Sequence, residues 1–243
     1  DKSQRGFEES LLGRSRVVHE KTIDPVTPSI QPPVKSAKEK AIELVSKDGR
    51  ELRNFPEFCA DKDVVRAAAL AYVWALTYAD KTLQEDDSFC CSIFRSADLT
   101  SLVSKQSWLA LIHINASAFF VMEDDFKSDR DLGLAAVRKR AWVFEHLNKS
   151  LQADKEIALA ALQVDPTLFR FVAPSLKEDS EIWQTARKGA LEAVQQDVTI
   201  FLKLDRQLRN DRAVAFAAVR QEGLLFLDLD EPLINDEELA LIG

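Results

Sequence analysis

Glycine is scarce in this 243-residue chain, which has 7, and histidine (3), tyrosine (2) and methionine (1) are scarcer still. The glycines are scattered, so no glycine-rich loop exists to cradle a phosphate, and no nucleophile-elbow motif is present. His19, His113 and His146 stand in no metal-ligand spacing with cysteine or with one another. Three cysteines, Cys59, Cys90 and Cys91, make no disulfide framework, and neighbours such as Cys90 and Cys91 do not pair with each other. Long apolar runs are also missing. The longest, near Trp108 to Met122, is interrupted by His113, Asn115 and Ser117, short of the roughly 18 residues a membrane-spanning helix needs. Basic charge is in deficit, 32 Lys and Arg against 40 Asp and Glu, for a net charge of -8. Such a chain has little to drive counterion release from phosphates, so no nucleic-acid partner is expected.

What remains is rich in alanine, leucine, glutamate, lysine and arginine, a composition that favours helix. Residues 1 to 35 differ. Pro25, Pro28, Pro32 and Pro33 are half of all the prolines, and they impose extended or polyproline-like backbone. A short helix fits Phe7 to His19, with Phe7, Leu11, Leu12 and Val18 on one face. The plain alternative is a disordered tail. As an ordered arm, this segment needs a surface to lie on, its own body or a partner. Phe7, Leu11, Leu12, Pro25, Pro28, Pro32 and Pro33 are therefore the candidate partner-binding residues. The acidity of Asp1, Glu8, Glu9 and Glu20 is unlike an intact transit peptide, so a processed or internal start is expected.

From residue 36 to 243 the sequence repeats itself. Asp154-Lys155-Glu156-Ile157-Ala158-Leu159-Ala160-Ala161-Leu162 has near copies starting at Asp61, Asp129 and Asp211, fainter ones at Asp86 and Asp179, and a stub at Asp236. Ser36 and Ser104 are further starts. Asp or Ser suits the N-cap of a helix, where its side-chain oxygen accepts from a free backbone N–H, and acids just inside complement the helix dipole. Ser36 with Glu39 fits a capping box. The nine caps are spaced 25, 25, 18, 25, 25, 25, 32 and 25 residues apart. The two irregular spacings differ from 25 by seven, about two helical turns, which predicts the same module with a helix shortened or lengthened.

Each module is expected to hold two helices. In the Asp154 module the first runs to about Val164, burying Ile157, Ala160, Ala161 and Val164. Asp165-Pro166 then turns the chain, and Leu168, Phe169, Phe171 and Val172 form a short second helix. One such hairpin cannot bury its apolar face alone, so the modules should stack. The expected fold is all-α: tandem helical hairpins of about 25 residues in an α-solenoid-like array, behind an extended Pro-rich arm.

The pattern Asp-x-Glu/Asp-aliphatic-x-x-x-Ala-Ala/Val, followed by a Leu/Phe-rich half, resembles the tandem-repeat family catalogued as domain of unknown function 4116. The resemblance is best over 126–177 and 205–243, fair over 55–88 and weak between 89 and 125, where a degenerate repeat and an insertion both remain open. It does not extend to the arm. The family is common in protists, algae and some intracellular bacteria, and it brings no catalytic residues. It implies a fold rather than a role.

Other residues that draw attention have ordinary structural readings. Cys90 and Cys91 fall where other copies carry Ala or Leu, as small core residues. Glu85-Asp86-Asp87, Glu123-Asp124-Asp125 and Asp236-Glu237-Glu238 lack the alternating ligands and central glycine of a calcium loop, and they sit where helices begin. Arg138-Lys139-Arg140 beside Trp142 is a solvated helix face with a tryptophan in the core. Most of Trp74, Trp108, Trp142 and Trp183 should be core. No catalytic residue, metal ligand or cofactor site is expected.

The function expected is a non-catalytic scaffold or linker subunit that binds other proteins in a large assembly. A peripheral subunit of an organellar membrane complex of an alga or protist, photosynthetic or respiratory, fits the family's distribution. That places the chain in a plastid or mitochondrion after processing. The alternative is the host-protein-binding region of a secreted bacterial effector. A cytoplasmic protein is a further alternative.

Overall fold

The computed structural model describes residues 35–97, 99, 104–231 and 233–242. All seven candidate residues of the arm, Phe7, Leu11, Leu12, Pro25, Pro28, Pro32 and Pro33, lie outside that set. Lys35–Gly243 forms one compact unit. It is entirely helical among the described residues.

All nine expected caps are occupied as the sequence predicts. Ser36, Asp61, Asp86, Ser104, Asp129, Asp154, Asp179 and Asp211 each cap a helix through the side chain. Asp236 Oδ1 accepts from the N–H groups of Glu238 and Leu239. Ser36 and Glu39 form the complete capping box.

Outside the short repeat at Asp86, the second half of the repeats departs from expectation. It is not one short α-helix but a six-residue 3-10 helix, an extended residue and, in most repeats, a single α-turn. In the Asp154 repeat the long helix Lys155–Leu162 is followed by the 3-10 helix Pro166–Phe171, the extended Val172 and the turn Pro174–Lys177. A 3-10 helix has three residues per turn, so its first and fourth side chains eclipse. Those two positions face the core: Val73 with Leu76, Ala116 with Phe119, Ala141 with Phe144, Pro166 with Phe169. The fifth position faces outward, and so does the second, except for the buried Ser117.

In the long helices the buried stripe lies three, four, seven and eight residues after the cap. In the Asp154 repeat these are Ile157, Ala158, Ala161 and Leu162, all nearly inaccessible, while Val164 is 71% exposed. The expected stripe was therefore partly misplaced, because the helix ends at Leu162 and the chain turns away before Val164. The third position of this stripe is alanine in five repeats, Ala68, Ala136, Ala161, Ala186 and Ala218, which lets successive long helices approach closely.

The spacing of 32 arises as expected. The helix Ser180–Gln196 has 17 residues, where Arg130–Lys139 has 10. The spacing of 18 does not. The helix Asp87–Ser96 keeps 10 residues, and the loss falls after it: residues 97–103 replace the 14 that separate the helix Lys62–Ala71 from the next cap. From Ser104 the full pattern returns, with Lys105–Ile114, Ala116–Val121 and Asp124–Lys127. That region is a degenerate repeat and not an insertion.

A ladder of ion pairs ties each cap to the repeat before it. Lys62, Lys105, Arg130, Lys155, Arg187 and Arg212 reach Asp86, Asp129, Asp154, Asp179, Asp211 and Asp236 at 2.7–2.9 Å. Lys38 does the same to Asp61 at 2.8 Å. Hydrogen bonds from these cations hold Asp61, Asp86, Asp179 and Asp236 below the usual carboxylate range. For Asp129 and Asp154 partial burial pushes upward, and the bonds from Lys105 and Arg130 with those of the helix backbone outweigh it. The pairs are partly exposed, so salt screens them. The ladder lapses at the short repeat: Asp87 stands where others carry a cation, and the next cap is the uncharged Ser104.

Candidate functional site

The short repeat interrupts the regular packing of the described stack. Elsewhere in the stack a long helix packs on the next long helix. The helix Asp87–Ser96 instead packs chiefly on the 3-10 helix Ala116–Val121. A buried asparagine secures this junction. Asn115 is 1% exposed; its Nδ2 donates to Gln84 O at 2.9 Å and Asp87 Oδ1 at 2.8 Å. Its Oδ1 accepts from Ser117 N at 2.8 Å and Ser117 Oγ at 2.5 Å. Every polar group of the amide is thus used, as burial demands. Arg140 Nε approaches Asp87 Oδ2 at 3.7 Å from the following repeat.

Beside this junction lies a groove of about 560 Å³. Clefts between successive long helices are smaller, at about 480, 400 and 350 Å³. One wall is a helix face that carries Ser88, Cys91, Ser92 and Arg95. These residues recur at three to four positions and so share one side of the helix. The opposite wall is aromatic. Phe120 and Trp142 stack at 5.4 Å with their planes 4° apart. His146 meets both edge-on, at 5.2 Å and 5.8 Å. Its Nε2 lies 3.0 Å from a Glu145 oxygen. Phe120 is the fifth residue of its 3-10 helix and Trp142 the second residue of the next, both outward positions. That is why two large rings stand where most other repeats carry Thr, Arg or Glu.

Several sequence readings change here. Trp142 is 36% exposed and not core. Trp108 is buried against Phe126, while Trp74 and Trp183 are half-buried, so most of the four are not fully in the core. Cys90 is a buried core residue whose thiol is pushed up to about 12, chiefly by burial. Cys91, expected beside it as a small core residue, is half-buried and lines the groove. His113, in an apolar run, is exposed. Asp86 and Asp236 cap helices, whereas Glu123 precedes a one-turn helix without capping it through its side chain. Arg138 is an exposed surface cation paired with Glu156, while Arg140 turns toward Asp87. Phe120 went unnoticed in the sequence. The signal that finds it is the six-residue register: an aromatic at an outward position, followed one repeat later by another.

Among the described residues no three His, Cys, Asp or Glu side chains are grouped to hold a metal ion, and no helix is long and apolar enough to cross a membrane. Comparison with protein-family models, with curated proteins and with solved structures finds no match.

Proposed function

We propose that this chain is a non-catalytic helical-repeat scaffold that binds another protein in the groove beside the short repeat. The observation that carries the reading is the exposed, stacked pair Phe120–Trp142 at the point where the regular array is interrupted. Aromatic residues in a concave, well-packed setting are where binding energy concentrates in protein interfaces. The groove's polar lining is made of serines, the Cys91 thiol, the His146 imidazole, and Asp87 and Arg95. Membership in the repeat family catalogued as domain of unknown function 4116 is part of the proposal. It rests on the register of capped, alanine-lined helices. The family's presence in algae and protists makes a peripheral subunit of an organellar photosynthetic or respiratory membrane complex the host we favour.

The test is native sedimentation of the protein in its source extract, followed with an antibody. The wild type should travel with a particle far larger than its own 27.3 kDa, and a Phe120→Ser/Trp142→Ser variant should be released from it. A wild type that sediments free at its own mass overturns the reading.

A further inference from the structure

The charges around the groove say what kind of segment it takes. Asp87 is the only carboxylate among its described lining residues. Its oxygens are committed within the fold, to the Asn115 amide at 2.8 Å and to the Arg140 guanidinium at 3.7 Å. Arg95 is exposed at the far end of the same helix face, seven residues beyond Ser88. That is two turns, or about 10 Å, along the groove floor. The charge the lining offers a guest is therefore the Arg95 guanidinium, while Glu145, beside the aromatic wall, lies against His146 Nε2 at 3.0 Å; the chain as a whole carries -8. The aromatic wall is apolar and faces that floor.

We infer that the groove binds a short peptide segment of a partner protein that carries a carboxylate beside an aromatic or aliphatic side chain. The carboxylate meets the Arg95 guanidinium, and the apolar side chain lies against Phe120 and Trp142. An arginine presents a planar fork that matches a carboxylate. At about 3.3 Å per residue, an extended segment of three or four residues spans the groove floor. The inference rests on the reading of this groove as the docking face.

The experiment uses the full chain and two blocked, fluorescently labelled nine-residue peptides. One holds a Trp-Leu pair between four glutamates, and its twin replaces the glutamates with lysines. Anisotropy titrations are run at about 0.15 M salt, where charges beyond roughly 8 Å are screened. The overall negative charge favours the lysine peptide, so preference for the glutamate peptide has to come from a local site. The glutamate peptide should bind at least about tenfold more tightly, a difference of about 1.4 kcal/mol. Arg95→Glu should reverse the order, and Trp142→Ala should weaken the preferred peptide about tenfold. Both side chains are exposed, and circular dichroism confirms that the variants fold. If the lysine twin binds equally or better in a Trp142-dependent way, the assignment of a carboxylate falls and the docking face survives. If neither peptide binds below about 1 mM, or binding ignores Trp142, the docking face falls and the inference with it.

Discussion

The repeats from Ser104 to Asp236 and the short repeat at Asp86 are built from the same helix and the same cap, yet they solve different problems. In the regular run each long helix is covered by the next, the 3-10 helices from Ala116 to Phe171 bury their first and fourth side chains, and a cation 24 residues upstream meets each aspartate cap. The linker after Ser96 is seven residues shorter than the one after Ala71. The helix Asp87–Ser96 then lies on a neighbour of another kind, the ladder lapses, and a buried amide takes over the task of registration. The regular run carries clefts of about 350–480 Å³ between its long helices, and the interruption a groove of about 560 Å³ with an aromatic wall. The comparison teaches that in a repeat stack, where each unit contacts only its neighbours, a surface can be opened at one point without disturbing the rest.

The largest blow to the regular side should be Phe144→Ala. Phe144 is fully buried in the 3-10 column, and its truncation should cost about 3–5 kcal/mol in chemical denaturation. Loss should spread to both neighbouring repeats, read as reduced hydrogen-exchange protection.

On the other side, Asn115→Ala should cost about 1–3 kcal/mol, because Asp87 loses a donor and Ser117 an acceptor in a buried site. Protection should fall around Asp87–Ser96 and Ala116–Val121 while the repeats from Asp154 onward keep theirs. Equal loss along the whole chain would break the distinction drawn here.

The smallest effect belongs to the ladder. Asp154→Ala should cost about 1 kcal/mol through the lost cap, and Asp154→Asn distinctly less, since asparagine caps as well as aspartate and only the charge is lost. Acid should do the same to the rungs at Asp61, Asp86, Asp179 and Asp236. Asp61, Asp86, Asp179 and Asp236 have native pKa values below their ordinary ones, so their contribution is complete above the unfolded value of about 3.9. It disappears as pH falls through the lower native values. The denaturation midpoint should drop across that window, and less so in high salt. A midpoint that does not change there removes the ladder as a stabilising feature.

Much of this was legible in residues taken a few at a time. An N-cap is a contact between a side chain and a backbone N–H two or three residues on, so Asp61, Asp129 and Asp211 declare themselves without knowledge of any neighbour. The same holds for the capping box at Ser36 and for the two-turn insertion before Gln196. The ladder is legible too, as a cation 24 residues before six of the aspartate caps and 23 before Asp61, but only once the caps are aligned on one another. The groove was not. Trp142 and Cys91 sit in repeats whose other copies are buried or polar, and pattern alone assigned them to the core.

The sequence by itself determined where each helix starts, how long the modules are, and that they must stack to bury their faces. Those properties follow from local hydrogen bonds and from apolar periodicity. Only the tertiary structure decided that the second half of each module winds as a 3-10 helix, and that Asp87–Ser96 packs on Ala116–Val121. It also left Phe120 and Trp142 facing outward together. Which side of a helix is covered depends on what lies against it, and at the short repeat that neighbour was changed by what is missing from the chain.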